Sequence, residues 1–492
     1  MFTVPSAWPR KGTKRSLLAL AFTLVAVLQA APAWAQGAPT PAPGKSLWTE
    51  DFSSGQATPP ASVPGGTALD LYHYTDADGV LYTSDADWRA TANECNGWIL
   101  NSGTTIPSTD TGCGNAGGTS RAANNTTAIS WLFLQAMADA LGVYQGMSTG
   151  ENNVLASMTN PGPGARTTMP NTMQIQADSV VTTASANPVI EGHYYIASAY
   201  FAEVHCSRDR SPYQPAGAGW TDAQEKLELL DSATSTTLIS FTASPCAAAP
   251  APTSTTDPIF TPTPPAPYVY MGFRNTPIYV VMGTSNAWQA TTGVTDLGIR
   301  VSNAQTSTTG NDVAIDNLQI LDVTPQLSES FSATSVPAGG TTTLTFTITN
   351  TDEFLAKPGW SFDEELPSGL TIVSGPDVIC QGTSTAAATA ITATGFTITG
   401  SLDAGIANDS CTVSVVVTSA TAGPYTNDAD PANGDNVTAM KGLWKPSPTQ
   451  VTFTAVMPAT PASAVPTGPA LPWLLLLMLA ATAWYALAKR RR

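Results

Sequence analysis

Histidine is scarce in this chain of 492 residues: His73, His193 and His205 are the only three, and none stands in an H-x-x-x-H spacing. The six cysteines never occur as C-x-x-C, so the spacings that hold a structural zinc ion are missing. Positive charge is thin as well. Lys and Arg number 20 against 36 Asp and Glu, a formal net charge of −16. Eight of the basic residues sit at the two ends, Arg10, Lys11, Lys14 and Arg15 at one and Lys489, Arg490, Arg491 and Arg492 at the other. Between those ends 12 basic residues face 36 acidic ones, a net of −24. Such a surface repels phosphate backbones and anionic lipid, which excludes nucleic acid as a partner. Also missing between the ends is the helix period of hydrophobic residues, apart from one short stretch.

What is there begins at the termini. The basic start is followed by an apolar run over residues 17–28 and by Ala33-Trp34-Ala35, small residues at −3 and −1 before Gln36. That order is a secretory signal peptide over residues 1–35, cleaved after Ala35; the run is too short to span a bilayer. At the far end residues 470–488 are apolar almost throughout. As a helix they rise about 28 Å, close to the thickness of a hydrocarbon core. Trp473 lies near one end, Trp484 and Tyr485 near the other, and the basic cluster follows as a cytoplasmic stop. The expected topology is an exported chain in the cell envelope, single-pass at least transiently.

Export changes the meaning of the cysteines. Cys95, Cys113, Cys206, Cys246, Cys380 and Cys411 all lie between the two segments, and an even number in an oxidising compartment reads as disulfides. Connectivity cannot be fixed by counting, but proximity favours Cys95–Cys113, Cys206–Cys246 and Cys380–Cys411. Linkers rich in Pro and Ala occupy residues 36–45 and 456–469. They bound a large segment, 46–324, and a smaller one, 325–455, both punctuated by turn residues. In the smaller, Leu344, Phe346 and Ile348 alternate with threonines, and Cys411, Val413, Val415 and Val417 share one face. Period two with β-branched residues predicts strands of an Ig-like β-sandwich. The one stretch of helix-friendly composition is WLFLQAMADAL at residues 131–141, which predicts a short helix.

Three resemblances follow. LSESFSATSVPAGGTTTLTFTITN, DEELPSGLTIVS and SLDAGIANDSCTVSVVVTSATAGPYTN resemble the Ig-like conserved-repeat modules of bacterial surface proteins over residues 327–437, which implies a stalk or spacer without catalytic residues. Val465-Pro466-Thr467-Gly468, the apolar run and the basic end resemble IPTL-type sorting signals, with departures at Val465 and Gly468. That resemblance implies an exosortase-like membrane protease as partner and a mature end near Pro466. Leu47-Trp48-Thr49-Glu50-Asp51-Phe52 and the run from Gly310 to Leu318, GNDVAIDNL, are similar to the first and last strands of jelly-roll modules related to carbohydrate-binding domains, with a weaker echo in Asn96-Gly97-Trp98. The fold class is therefore all-β: a large jelly-roll-like sandwich, an Ig-like sandwich, then one C-terminal transmembrane helix.

In the jelly-roll modules the paired first and last strands hold a structural calcium, which implies a site made by Glu50 or Asp51 with Asp316. A second candidate is the acidic turn Asp76-Ala77-Asp78-Gly79, followed by Asp85 and Asp87, since hard cations take several oxygens; the competing reading is a solvated turn. No other cofactor is implied. Gly146-Met147-Ser148-Thr149-Gly150 matches G-x-S-x-G, but a nucleophile elbow needs a strand before it and a helix after, and a loop is expected instead. The histidines read as structural, and His205 beside Cys206 makes a dyad only with a free thiol. Trp88, Trp98, Trp220 and Trp288 are the candidates for stacking on sugar, against the commoner fate of core residues. With no catalytic constellation, the leading expectation is a surface-displayed binding or adhesion protein with a glycan or other extracellular ligand. A hydrolase using paired carboxylates and a purely structural envelope or matrix protein stand as alternatives.

Overall fold

The computed structural model describes residues 41–53, 69–70, 74–85, 96–103, 129–157, 172–207, 221–248, 268–271, 277–305, 312–405, 409–432, 434–457 and 470–489. The chain is predominantly β, and residues 40–492 make one compact unit. The signal segment, Cys95, Cys113, Asp87, Trp88, Trp220, His73 and the motif Val465–Gly468 lie outside the described residues.

Up to residue 324 two antiparallel sheets face each other. A nine-stranded sheet is built around Tyr194–Val204 and Asp312–Asp322, and a five-stranded sheet around Thr172–Val181, Glu225–Asp231 and Leu297–Asn303. Ala197, Ala199, Phe201, Val313 and Ile315 meet Ile175, Leu227, Leu229, Ile299 and Val301 between them. The opening strand Lys45–Glu50 pairs with the closing strand Asp312–Asp322, Glu50 opposite Leu318. The sandwich and this first-to-last pairing match the expectation.

The predicted short helix is also present, longer than its motif, over Ile129–Tyr144. It covers the outer face of the nine-stranded sheet, packing Leu134, Met137 and Leu141 on Val154, Ala156, Ala202, Val204, Val280 and Ala314. The larger sheet is thus buried on both faces. That is why Tyr194–Val204, YYIASAYFAEV, is buried at nearly every position instead of alternating, as strands covered on both sides do. Its small residues Ala197, Ala199 and Ala202 let neighbouring layers approach closely.

The second module, residues 325–455, has its own core. Thr341–Thr349 lies beside Ser410–Thr418 with Leu344 opposite Val415, Phe346 opposite Val413 and Ile348 opposite Cys411. The alternation therefore sets the register, because a slip of one residue would turn every apolar side chain to solvent. Gln326–Phe331 and Thr371–Cys380 complete this four-stranded sheet. A second four-stranded sheet contains Lys357–Glu365 and Gly395–Leu402, and a three-stranded one contains Gly423–Asn427 and Thr449–Thr454. Trp360, the largest fully buried side chain among the described residues, lies against Gly400, where an added Cβ would fall 2.1 Å from the ring.

Two of the expected disulfides are formed. In the first segment, the head (residues 46–324), Cys206–Cys246 ties the end of the strand Tyr194–Val204 to the short helix Pro245–Ala248, and in the second module Cys380–Cys411 links directly opposed residues of neighbouring strands. The last described element is a helix over Ala470–Lys489, of whose side chains 476–485 and 488 are described. Among the described residues no helix is long and apolar enough to cross a membrane, so the expected transmembrane helix over residues 470–488 is without support.

Candidate functional site

Pairing of the first and last strands brings the predicted carboxylates close in sequence register but divides them between two faces of the nine-stranded sheet. Glu50, 1% exposed, points between the two sheets, where Tyr74 donates to its Oε1 at 2.8 Å. Tyr82 donates to Glu50 Oε2, and its hydroxyl also lies 2.8 Å from Asp76 Oδ2. The Phe52 amide closes the arrangement by donating to Glu50 Oε1. Burial raises the Glu50 carboxyl above its ordinary range, opposed by these hydrogen bonds and reinforced by Asp76. Burial and the same two carboxylates push the Tyr82 hydroxyl up, so it stays a donor.

Asp316 faces the helix layer instead. Gln145 and Asn152 donate to its Oδ2 at 2.6 and 2.9 Å, and the Asn317 amide donates to Oδ1 at 2.6 Å. Burial pushes it up to about 7, with Asp51 adding to the rise. The structure therefore brings together Glu50 with Asp76, and Asp51 with Asp316. Asp78 is exposed on the turn, its amide donating to Asp76 Oδ1 at 3.0 Å. Each of these two sites already has donors of its own, and the residues that supply them, Tyr74, Tyr82, Gln145 and Asn152, escaped the sequence reading.

Among the described residues, one group of acidic and sulfur side chains is close enough to share an ion: Glu203, Cys206, Asp222 and Cys246. Its sulfurs are bonded to each other, and Glu203 accepts from the amides of Ala223 and Cys246. Thiolate ligation is closed to it, and the disulfide removes the thiol that a His205 dyad needs. His205 Nδ1 lies 2.7 Å from Asp312 instead, and His193 Nδ1 2.8 Å from Asp322. These pairs clasp the two ends of the central strands Tyr194–Val204 and Asp312–Asp322. The sequence carries the signal in plain form, a His flanking each end of one strand and an Asp at each end of the other.

Gly146–Gly150 is a loop after the helix and before the strand Asn153–Ser157, the reverse of the elbow order, and Ser148 is exposed. Trp98 and Trp288 are both half-buried and pack against the two head cores, Trp288 beside Tyr195. A different tryptophan lines a cleft. Pro43, Lys45, Asp322, Thr324, Gln326, Thr351 and Trp444 enclose about 230 Å³ where the head meets the second module. The Lys45 ammonium sits 5.2 Å over the Trp444 ring and the His193 ring meets its edge. The join around the cleft is firm: Tyr194 donates to the Pro358 carbonyl at 2.5 Å and Thr351 to the Val323 carbonyl at 3.0 Å. Lys357, buried beneath, donates to Glu353 at 2.6 Å.

Residues 325–455 match a family described as a domain of unknown function, DUF7933. No curated protein matches the chain. Among solved structures, the chain is similar to the N-terminal domain of an adhesin from Streptococcus gordonii, at 10% identity and a TM-score of 0.24, over 63% of this chain and 67% of that one. It is also similar to the C-terminal domain of an AgI/II polypeptide from Streptococcus agalactiae, at 11% identity and a TM-score of 0.19, over 61% of this chain and 96% of that one. Scores this low leave the functional reading to the chain's own residues.

Proposed function

We propose that the protein is an exported, surface-displayed binding protein of the adhesion type, its jelly-roll-like head carried on the second module as a stalk. The observation that carries this reading is the two-module β fold closed by the disulfides Cys206–Cys246 and Cys380–Cys411, the chemistry of an oxidising compartment outside the cytoplasm. In the terminal helix Leu476, Leu477, Met478 and Leu479 are successive and between 61% and 68% exposed, and Trp484 and Tyr485 are exposed as well. This apolar tail, the basic cluster and the motif Val465–Gly468 read together as a sorting segment for an exosortase-like protease.

The cleft beside Trp444 offers the chemistry of a sugar subsite, an indole next to a carboxylate, an amide and a hydroxyl. A glycan array probed with the full-length chain in detergent tests the reading. Binding to a defined glycan set that is lost in Trp444→Ala supports it. Turnover of a sugar polymer without stable binding favours the hydrolase alternative, and silence in both assays leaves a structural envelope protein.

A further inference from the structure

Three sheets of the second module meet at one buried knot of oxygen atoms. Glu329 comes from Gln326–Phe331, Glu364 from Lys357–Glu365, and Asn427 ends Gly423–Asn427. The Asn427 side-chain amide donates to Glu329 Oε2 at 2.6 Å and to Glu364 Oε2 at 3.3 Å. An amide has two N–H donors, and both are thereby used. Three acceptors are left buried without a partner: Glu329 Oε1, Glu364 Oε1 and Asn427 Oδ1. Glu364 is 2% exposed and Asn427 fully buried.

The surroundings add negative charge. Asp428 follows Asn427, is itself buried, and acts on Glu329, while Glu365 acts on Glu364. None of the ion pairs among the described residues includes Glu329 or Glu364. Lys445, exposed in a neighbouring segment, donates to the Ala429 carbonyl. Burial drives the Glu329 carboxyl up to about 7 and Glu364 well above its ordinary value; the Asn427 bonds oppose this in both, and a bond from the Thr449 backbone N–H opposes it in Glu329 as well. In the head, Glu225 likewise leaves Oε2 without a partner, but it stands alone, with no second carboxylate sharing its donor. Glu50 and Asp316 have donors on both oxygens, whereas here the unpartnered atoms are all acceptors. What such a knot lacks is positive charge, and a cation meets several oxygens at once.

We propose that Glu329, Glu364 and the Asn427 side-chain carbonyl form a binding site for calcium, with Asp428 supplying further negative charge, and that the ion fastens the three sheets of the module to one another. Calcium fits better than magnesium, because protein oxygens from separate strands suit its flexible coordination, whereas magnesium holds to octahedral geometry and keeps its water. The site is independent of the head carboxylates and of the glycan reading.

The test is calorimetric titration of the full-length chain with calcium chloride, together with melting curves in calcium and in EDTA. Glu329→Gln, Glu364→Gln and Asp428→Asn are compared with Asp316→Asn, which controls for binding in the head. The expected result is calcium binding that weakens by about tenfold or more in Glu329→Gln and Glu364→Gln and survives Asp316→Asn. In EDTA, Glu364→Gln should melt no lower than the parent, since the substitution removes a buried charge and keeps the side-chain shape. Unchanged affinity in both Gln variants overturns the proposal. So does a parent chain that responds to acid but not to calcium, which would mean that protons alone relieve the knot.

Discussion

The head and the module behind it both bury carboxylates, and those of the head, Glu225 Oε2 excepted, are surrounded by donors. Glu50 rests on two tyrosine hydroxyls and an amide, Asp316 on two side-chain amides and its neighbour's N–H, and Glu203 on two backbone N–H groups. In the module Glu329 and Glu364 share one side-chain amide, Glu329 takes a further bond from the Thr449 N–H, and each still leaves an oxygen bare. A buried acid with its donors in place is a structural element, whereas one without them is an opening for a proton or a cation. The two regions also differ in how they hide apolar surface. Module strands bury one face and head strands of the larger sheet bury both.

The second difference makes the sharpest prediction. Phe346→Ala in the module and Phe201→Ala in the head should each cost about 3–5 kcal/mol in denaturant unfolding, since both side chains are fully buried. Their neighbours should part company. Thr345 is half-buried on the outer face of its strand, so Thr345→Leu should stay within about 0.5 kcal/mol. Ala202 lies under the helix layer, and Ala202→Leu should cost about 1–3 kcal/mol through overpacking. Equal costs at Thr345 and Ala202 would erase the contrast.

Removing the module's staple is the next effect in size. Cys380→Ser with Cys411→Ser should lower stability by about 2–4 kcal/mol, read from the chemical denaturation midpoint of the module. Retention of the parent midpoint would mean that the sheet register is held without the bridge.

Smaller, but directed, is the response to pH. Burial holds Asp316 at about 7 and Glu225 at about 8, so the folded head takes up protons as pH falls through those values and is penalised above them. Stability should rise from about pH 8 to about pH 5 as that penalty is relieved. Glu228 works the other way. Burial alone would raise it, but bonds from Arg300, Lys226 and Thr237 outweigh burial and hold it at about 2, against an ordinary 4.5. Its contribution is present above the ordinary value and is lost as pH falls below it toward about 2. Melting temperatures across this range should therefore peak in mild acid. Asp316→Asn should flatten the limb between about pH 8 and pH 5; an unchanged limb would show that Asp316 does not carry it.

The smallest change expected is at the join. Tyr194→Phe removes the hydroxyl that reaches the Pro358 carbonyl and should cost about 1 kcal/mol, seen as earlier proteolysis between head and module.

These differences set what could be read from the sequence. The module was legible because Leu344, Phe346 and Ile348 alternate against an exposed face, and because Cys380 and Cys411 fall on facing strands. The head was less so. YYIASAYFAEV has no period when both faces are buried, and the helix layer that buries the second face comes from a distant segment. Of the candidate site, the pairing of first and last strands was readable from their ends. The side of the sheet that each carboxylate faces was not, since the bulge between Asp316 and Gln319 changes the alternation locally. The Glu329, Glu364 and Asn427 knot has no spacing signal at all, because its members come together only when three sheets close.

The central claim is outward display, and labelling of intact cells tests it most directly. A membrane-impermeant amine reagent should modify Lys226 and Lys445 on whole cells to the same extent as on opened cells. Labelling of Lys226 and Lys445 only after permeabilisation would contradict the account.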